Sequence, residues 1–319
     1  MNILIIGSEG FIGTHLENFF SKKGYHVYGI DIIPSVKNNH FNYDVRIPLP
    51  IEKFKNKIDL IVNLAAVLRE PGHLNHEFYE TNVLGAKNIC LFAEKINCNH
   101  ILFTSTMMVY GNYDFKKDED TFPSPTSPYG NSKLVAEEIH KGWQLKNPSK
   151  RKLIITRPGV VFGDGENGNV SRLIKLVKNY FFFYSSNKNI YKAGIYINEF
   201  VDVVDWSIEN QIRGSLSNSI LYNAVYWPNF KFQDYVNSIN IVLKRKPIII
   251  LNLPFKFLLI LSHLIGLFKV SDFSPLRIKK LRYQNFIYPK FLLQNKYKFK
   301  FNLIMAFKDW SRKEKNLWK

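Results

Sequence analysis

The chain is poor in cysteine and in acidic residues, and both shortages restrict its chemistry. Of its 319 residues, two are cysteine and 26 are acidic, against 44 that are basic. Cys90 and Cys98 have no histidine at the spacing of metal ligands, so we expect buried or surface thiols and no metal site. So few cysteines fit a reducing cytoplasm.

The shortage of acidic residues leaves a formal charge of +18. A charge of this size raises the hypotheses of a nucleic-acid partner or an anionic-membrane partner. The lysines are scattered among Asn, Ile, Phe and Tyr throughout the chain, which indicates a compositional bias, and no nucleic-acid-binding module is visible. We therefore expect no nucleic-acid partner. A basic protein would still attract anionic small molecules and could associate weakly with acidic lipid headgroups.

No apolar run in the sequence is long enough to cross a bilayer. The most apolar stretch, residues 247–270, is interrupted by Asn252, Pro254 and Lys256, whereas a span needs about 20 mostly apolar residues. We expect this stretch to pack within the C-terminal part of the chain or, alternatively, to attach shallowly to a membrane surface. Met1 leads directly into an apolar strand, which leaves no room for a signal peptide and favours a cytoplasmic protein.

The chain does contain a regular alternation of strand-like and helix-like segments. Strand-like runs lie near residues 2–7, 25–31, 58–64, 100–105 and 152–158. Helix-like stretches include one from about His76 to Lys95 and one from Tyr129. This alternation predicts an α/β fold with a Rossmann-type, doubly wound parallel sheet. We expect residues 1–162 to form a dinucleotide-binding domain and residues 163–319 to form mainly a smaller substrate-binding lobe, with some segments returning to the core.

Three glycines, Gly7, Gly10 and Gly13, lie between the first strand and the helix that follows it. Glycines at such a turn let the backbone approach a diphosphate, and the helix N-terminus offers unpaired amides and a positive dipole end. Asp31 ends the second strand at about the spacing of a ribose-binding carboxylate, where it would repel a 2′-phosphate. These residues favour NAD over NADP, although Asp31 could instead be a solvated residue at a strand end.

Tyr129 and Lys133 are four residues apart in a helix-like segment, a spacing that places a phenol and an ammonium on one face. A free tyrosine titrates near pH ~10, and a fixed cation beside it favours the phenolate, which can accept a proton. The same short pattern also occurs as an ordinary surface pair. The pair alone therefore does not identify an active site.

Four motifs taken in order resemble those of the extended short-chain dehydrogenase/reductases, and in particular the NAD-dependent epimerase/dehydratase family. They are the three glycines, AsnLeuAlaAla at 63–66, ThrSerThrMetMetValTyrGly at 104–111 and the Tyr129/Lys133 pair. The resemblance covers most of the chain. In that family a Ser or Thr four residues before the tyrosine of ValTyrGly assists the catalytic tyrosine. Thr106 holds that place, and Ser105 is the neighbouring alternative.

The resemblance implies NAD as the cofactor and a crevice at the carboxyl ends of the strands as its site. In the family an Asp and its neighbour after the third strand contact adenine, and an Asn in the helix beneath the active site orders water or the lysine. The implied cofactor contacts are Gly7, Gly10, Phe11, Ile12, Gly13, Asp31, Ile32, Asp44, Val45, Leu64, Ala65, Ala66, Asn82, Tyr129, Lys133, Pro158 and Val160.

The resemblance also implies a nucleotide-sugar substrate. Asn169 and Val170 match a family segment that contacts the nucleotide diphosphate, and Arg277 matches a segment that presents a basic side chain to the phosphates. An arginine can bind two phosphate oxygens at once, although Arg277 could equally lie in a solvated basic stretch. The implied substrate contacts are Val67, Met107, Met108, Tyr129, Asn169, Val170, Arg172 and Arg277.

The implied chemistry is transient oxidation of a sugar hydroxyl by Tyr129, Lys133 and Thr106. Family members that eliminate water carry an Asp-Glu pair where Met107 and Met108 stand, and a thioether cannot shuttle protons, so dehydration is disfavoured. We expect an epimerase acting at sugar C4, with an NAD(P)H-dependent 4-ketoreductase as the alternative. A non-catalytic dinucleotide-binding scaffold at a membrane surface is a second alternative. A homodimer is expected by analogy with the family.

Overall fold

The computed structural model describes residues 1–54, 57–68, 72–180, 184, 189–245 and 283–319. The strands in this part of the chain are β1 (Asn2–Ile6), β2 (His26–Asp31), β3 (His40–Asn42), β4 (Leu60–Asn63), β5 (His100–Thr104), β6 (Lys152–Pro158), β7 (Val160–Phe162), β8 (Gly194–Tyr196) and β9 (Ser219–Ala224). The described helices are α1 (Phe11–Lys22), α2 (Asn75–Phe78), α3 (Gly85–Lys95), α4 (Pro128–Leu145), α5 (Asn169–Lys178), α6 (Ile197–Ile212), α7 (Phe232–Val242), α8 (Lys290–Gln294), α9 (Leu303–Lys313) and α10 (Lys315–Trp318).

Seven of these strands form one parallel sheet in the order β3-β2-β1-β4-β5-β6-β9. The chain runs outward from β1 to β3 and then crosses back to β4 on the other side of β1. The order therefore reverses between β1 and β4, and in such sheets ligands bind at the carboxyl ends of the strands beside this reversal. The predicted Rossmann-type, doubly wound sheet is confirmed.

Helices cover both faces of the sheet, because alternate residues of each strand point to opposite sides. On β1, Ile3 and Ile5 pack in a core cluster with residues of α1 and α6, whereas Leu4 and Ile6 pack in a second cluster with residues of α3 and α4. All four side chains are fully buried. An apolar run without polar alternation is typical of such a doubly covered parallel strand.

The helix predicted from about His76 to Lys95 is present, but its geometry changes along its length. It begins as α2, continues as a π-helical segment over Tyr79–Leu84, and ends as α3. Short π-helical segments within α-helices are frequent at functional sites. In this protein the π-helical segment contains Asn82, whose contacts are described below.

The C-terminal half contributes both to the sheet and to the helical part of the molecule. β9 adds the seventh strand beside β6, while α5, α7, α9 and α10 pack against one another. Aromatic rings join β7 to two of these helices: the ring of Phe162 at the end of β7 lies 5.5 Å from that of Phe307 and 5.9 Å from that of Tyr235. These rings belong to the same core cluster as Ile3 and Ile5, so the helices rest on the sheet through a continuous apolar core.

Two sequence predictions concern residues outside the described part of the chain. The apolar stretch 247–270 and Arg277 both lie in the range 246–282, which the structure does not describe. Within the residues that it does describe, none of the helices combines the length and the apolar character that a bilayer span requires.

Candidate active site

The glycine-rich turn after β1 is packed so tightly that side chains would not fit. Gly7 has φ +91°, and a Cβ there would lie 3.0 Å from the amide nitrogen of Ala65. A Cβ on Gly13 would lie 2.2 Å from the carbonyl oxygen of Gly7. Gly10 caps α1, whose first turn carries no acidic side chain. The turn therefore presents backbone amides and a helix N-terminus, which suits the diphosphate of a dinucleotide.

Asp31 lies at the carboxyl end of β2, next to this turn. Its Oδ2 accepts a hydrogen bond from the amide of Glu9 at 2.9 Å, and its Oδ1 accepts one from the amide of Ile33 at 2.9 Å. These two bonds fix the carboxylate beside the glycine-rich turn, where the sequence predicts that it contacts a ribose. Ile32 is 65% exposed at the same edge. The backbone amides of the glycine-rich turn and the Asp31 carboxylate together fit the diphosphate and ribose of NAD.

Asp44 and Val45, predicted to contact adenine, follow β3. The Asp44 carboxylate pairs with the Arg46 guanidinium at 2.6 Å, and hydrogen bonding from Arg46 holds the pKa of Asp44 below its usual value. Val45 is buried beside Gly85 at the start of α3, and its carbonyl accepts a hydrogen bond from Asn88. These contacts fix the chain at the end of β3, while direct contact with adenine remains a prediction.

The segment after β4, from Leu64 to Val67, is held by Asn82. The Asn82 side chain accepts from the amide of Val67 at 2.9 Å and donates to its carbonyl at 3.1 Å. It also donates to the Ser132 hydroxyl on α4 at 2.8 Å. Asn82 therefore ties this segment to α4, and Ser132 is a partner that sequence reasoning missed. Because the segment includes Ala65 and Ala66 and touches Gly7, Asn82 also links the glycine-rich turn to α4.

The helix α4 carries Tyr129 and Lys133 one turn apart. Ser127 caps the helix by accepting a hydrogen bond from the amide of Gly130 at 3.1 Å, and Pro128 occupies the first helical position. Both residue types are favoured at these positions, which explains why the helix begins here. The Tyr129 ring lies 6.3 Å from that of Phe78, the last residue of α2.

Lys133 is 1% exposed, and its ammonium lies 4.2 Å from the centre of the Phe103 ring. Burial lowers the pKa of Lys133 to about 7, although the nearby Glu137 carboxylate acts in the opposite direction. A cation over an aromatic face gains electrostatic attraction that partly offsets its loss of hydration. Burial therefore makes the Lys133 ammonium a stronger acid than a lysine in water.

Thr106 caps the short 3₁₀ turn Met107–Tyr110, since its Oγ1 accepts from the amide of Met108 at 3.2 Å. This turn lies against the start of α4: a Cβ on Gly130 would come within 2.7 Å of the Met108 carbonyl oxygen. Thr106 is thus brought to the same helix end as Tyr129. The alternative residue, Ser105, donates its hydroxyl to Glu137 at 2.5 Å within the buried interior.

A buried polar network supports this end of α4. The Arg157 guanidinium donates to both oxygens of Glu137, at 2.9 and 2.6 Å, and to the Tyr110 hydroxyl at 2.9 Å. Tyr110 in turn donates to the side chain of Asn223 on β9 at 2.8 Å. Sequence reasoning missed this network. One signal could have indicated it, because Glu137 lies four residues beyond Lys133 on the same helix face.

Four further predicted residues lie in the 3₁₀ turn, in β6 and in β7. Met107 is buried in an apolar cluster with Val109, Tyr110, Ala193, Val225 and Ile287, and Met108 is half-buried. Pro158 ends β6, where it pairs in register with Ala224. Val160 begins β7 and pairs with Gly194.

Asn169, Val170 and Arg172 lie together in the first turn of α5. The Arg172 guanidinium donates to the Asn169 side-chain oxygen at 2.9 Å. The Glu166 carboxylate accepts from the amides of Val170 at 3.4 Å and Ser171 at 2.8 Å, so these amides already have an anionic partner. Contact of this turn with a substrate diphosphate remains a prediction.

Comparison with known proteins agrees with this geometry. A family model described as the NAD dependent epimerase/dehydratase family matches residues 3–208. The chain is 30% identical over 292 residues to an N-acetyl-alpha-D-glucosaminyl-diphospho-ditrans,octacis-undecaprenol 4-epimerase of Escherichia coli O157:H7, covering 88% of this chain and 85% of that protein. It is also 30% identical over 192 residues to a UDP-glucose 4-epimerase of Cyamopsis tetragonoloba, covering 53% of this chain and 54% of that protein.

Solved structures show the same fold at lower identity. A UDP-N-acetylglucosamine 4-epimerase from Bacillus cereus superposes with a TM-score of 0.77 at 17% identity, covering 99% of both chains. A UDP-glucuronic acid 4-epimerase from Bacillus cereus in complex with NAD superposes with a TM-score of 0.75 at 20% identity, covering 100% of both chains. With the matched family model and the relative that aligns along most of its length, these results establish that the chain belongs to the NAD-dependent epimerase/dehydratase family.

Proposed function

We propose that this protein is an NAD-dependent epimerase that inverts C4 of a sugar carried on a diphosphate. The observation that carries the proposal is the position of Tyr129 and Lys133 on α4 beside Thr106, held by Asn82 to the segment that packs on the Gly7 turn. A proton-transfer group and a dinucleotide-binding turn are therefore joined at one edge of the sheet. The relatives described as 4-epimerases support the position of the inverted carbon.

The cofactor would be held by the Gly7 to Gly13 turn and α1 at its diphosphate and by Asp31 at its ribose. When bound, NAD supplies a hydride acceptor that can return the hydride to the same carbon. The chain supplies the proton chemistry. Tyr129 Oη would take the proton from the sugar hydroxyl and return it to the new alcohol, while Thr106 would hydrogen-bond the same oxygen.

Lys133 would stabilise the negative charge of the Tyr129 phenolate. Its burial places its pKa near the working range, and an anionic phenolate or phosphate beside it would favour the ammonium form. Glu137, one turn further along α4 and paired with Arg157, offsets only part of the effect of burial on the Lys133 pKa.

The 4-ketoreductase remains a second candidate because it uses the same Tyr129 and Lys133. Asp31 favours the epimerase, since an epimerase recycles NAD, whereas many reductases draw on NADPH and its 2′-phosphate. Dehydration is not supported, because Met107 packs in an apolar cluster and neither Met107 nor Met108 can transfer a proton. The scaffold hypothesis is not favoured either, since both Tyr129 and Lys133 are present.

Two carriers of the sugar diphosphate fit the chain. A nucleotide sugar agrees with the UDP-glucose 4-epimerase similarity. An isoprenoid diphosphate sugar is favoured by the similarity that runs through most of the chain and by the charge of +18, which would draw the protein weakly to acidic membranes. Exposed basic side chains follow one another on α9 and α10, at Lys308, Arg312, Lys313 and Lys315.

We also propose a cytoplasmic homodimer formed through α3 and α4. These helices pack against each other, and large apolar side chains on and next to them are exposed, namely Leu84, Leu91, Val135 and Leu145. Exposed apolar side chains of this size are common at subunit interfaces. Residues 1–162 would bind the dinucleotide, and residues 163–319 would mainly bind the substrate.

The test is to incubate the purified protein with a panel of UDP-, GDP- and dTDP-sugars and an undecaprenyl diphosphate sugar, without added reductant. Inversion at C4 supports the epimerase, and the preferred member of the panel identifies the carrier. Turnover only with NAD(P)H and a 4-keto sugar would support the reductase and contradict the epimerase. A Tyr129→Phe variant assayed beside the wild type identifies any activity that does not belong to this site.

A further inference from the structure

Three charged residues and a histidine form a compact cluster beside the glycine-rich turn. We call these residues, Glu9, Glu17, Lys37 and His40, the Glu9 cluster. His40 is the first residue of β3, and its ring packs over Gly29 of the neighbouring strand β2. A Cβ on Gly29 would lie 2.5 Å from the His40 ring. Gly29 therefore leaves the space that lets the ring approach Ser8, whose Oγ lies 3.4 Å from His40 Nδ1. The cluster thus joins α1, the glycine-rich turn and the connection between β2 and β3.

Within the cluster, His40 and Lys37 each contact both carboxylates. His40 Nδ1 lies 2.7 Å from Glu9 Oε1, and His40 Nε2 lies 3.0 Å from Glu17 Oε1. The Lys37 ammonium lies 3.2 Å from Glu9 Oε1 and 2.7 Å from Glu17 Oε2. Carboxylate and imidazole ligand atoms of this cluster come within 4.8 Å of one another, as a metal site would need. Because the Lys37 ammonium already lies between the two carboxylates and pairs with each of them, we assign no metal to the cluster.

Glu9 also belongs to the edge where the adenosine ribose is proposed to bind. Its amide donates to Asp31 Oδ2 at 2.9 Å, so the residue that positions the Asp31 carboxylate carries a second carboxylate on its own side chain. A 2′-phosphate in this place would bring about two negative charges to two existing ones. A basic residue such as Lys37 could attract that phosphate only if it were released from its carboxylates.

We propose that Glu9 is a specificity-determining residue for the cofactor, which disfavours NADP both by its own charge and by holding Lys37 away from a 2′-phosphate. This inference rests on the proposed function, because it places the adenosine ribose of NAD at Asp31. It goes beyond the role of Asp31, since it assigns part of the preference for NAD over NADP to the Glu9 carboxylate, which need not touch the ribose.

The experiment measures the dissociation constants of NADH and NADPH by fluorescence for the wild type, Glu9→Gln, Glu9→Gln/Lys37→Met and Glu138→Gln. Glu138 is an exposed glutamate on α4 paired with Lys141 at 2.8 Å, so its substitution removes the same charge away from the cluster. We expect Glu9→Gln to lower the ratio of the NADPH constant to the NADH constant about tenfold, equivalent to about 1.4 kcal/mol. The added Lys37→Met substitution should reverse part of this gain, and Glu138→Gln should leave the ratio unchanged.

A Glu9→Gln ratio within about twofold of the wild type would overturn the proposal, as would an equal change in Glu138→Gln. If Lys37→Met leaves the gain intact, the part assigned to Lys37 is wrong. Failure of the proposed function is measured separately, as the absence of C4 inversion in the panel assay, whereas the ratio of the two dissociation constants is defined for any protein that binds both nucleotides. Circular dichroism and the melting temperature of each variant establish that it is folded.

Discussion

The two ends of the active site are built by different means. At the adenosine end, the Gly7 turn is shaped by backbone packing, and its charged neighbours, Glu9 and Lys37, are partly exposed. At the reaction end, Lys133, Glu137 and Arg157 are 1%, 0% and 2% exposed, respectively. Water screens the first set of charges, whereas the second set depends on its partners for stabilisation. We therefore expect substitutions at the adenosine end to change mainly binding, and substitutions at the reaction end to change both turnover and stability.

The largest effect is expected where the reaction itself takes place. Tyr129→Phe removes the hydroxyl that transfers the proton and should lower kcat for C4 inversion by about three to four orders of magnitude. The melting temperature should stay close to that of the wild type, since the ring is retained. Steady-state kinetics and thermal denaturation measure the two quantities. A kcat within about tenfold of the wild type would contradict the role of Tyr129.

The second prediction concerns the buried ion pair of the reaction end. Glu137→Leu leaves the Arg157 guanidinium buried without its carboxylate and should lower the free energy of unfolding by about 3 to 5 kcal/mol in urea titrations. Glu9→Gln, at the adenosine end, breaks a partly exposed pair and should cost less than about 1 kcal/mol. The double variant Glu137→Leu/Arg157→Met should recover part of the loss. Equal losses for the two single variants would remove the distinction between the two ends.

The third prediction is a loss of stability in mild acid that arises from buried histidine. His140 on α4 stacks on Phe103 at 4.2 Å, and its Nδ1 lies 2.7 Å from the carbonyl oxygen of Ala136. Burial lowers the pKa of His140 from 6.5 to about 4, so the unfolded chain binds a proton that the folded protein excludes. The stabilisation is complete above pH 6.5 and is lost as the pH falls towards 4, by about 1.4 kcal/mol per pH unit.

Urea titrations between pH 7 and 4.5 test this histidine effect. His100 shows the same lowering of its pKa to about 4 through burial, so both histidines contribute. His140→Gln should make the loss of unfolding free energy with falling pH about half as steep. An unchanged slope would show that the acid sensitivity has another origin.

The last prediction concerns backbone packing in the glycine-rich turn at the adenosine end. Gly13→Ala places a Cβ where the Gly7 carbonyl oxygen would lie 2.2 Å away, and it should lower the unfolding free energy by about 1 to 3 kcal/mol. NADH binding, measured by fluorescence, should weaken because the turn must open. Gly142→Ala on α4 is the matched control, since nothing lies within 4 Å of its Cβ. That control should be neutral or stabilising by about 0.4 to 1 kcal/mol; a reversed order of the two variants would contradict the packing argument.

The sequence predicts the adenosine end more completely than the reaction end. Gly7, Gly13 and Asp31 lie within a short strand, turn, helix and strand, so their spacing alone indicates their positions. Tyr129 and Lys133 are similarly local on α4. The double winding of the sheet also follows from the alternation of apolar strands with helices, and it is confirmed.

The contacts that the sequence does not reveal are those between residues that are distant in the chain and are brought together by strand pairing and by packing on the sheet. Tyr110 bonds to Asn223 across 113 positions, and Arg157 meets Glu137 only because β6 lies beneath α4. His40 reaches Glu9 only because β3 pairs with β2 beside Gly29. The π-helical geometry around Asn82 likewise has no local signal in the sequence. Such contacts require the strand register, which apolar patterning does not specify.

The most direct test of the account is the fate of the hydrogen on C4 during inversion. A UDP-sugar or undecaprenyl diphosphate sugar carrying deuterium at C4, whichever the panel identifies as substrate, is incubated with the purified protein in ordinary water, and the epimer is analysed by mass spectrometry and NMR. If hydride is taken from C4 and returned to its opposite face within one closed site, the product keeps the deuterium at C4. Inversion accompanied by replacement of the label with solvent hydrogen would contradict the account.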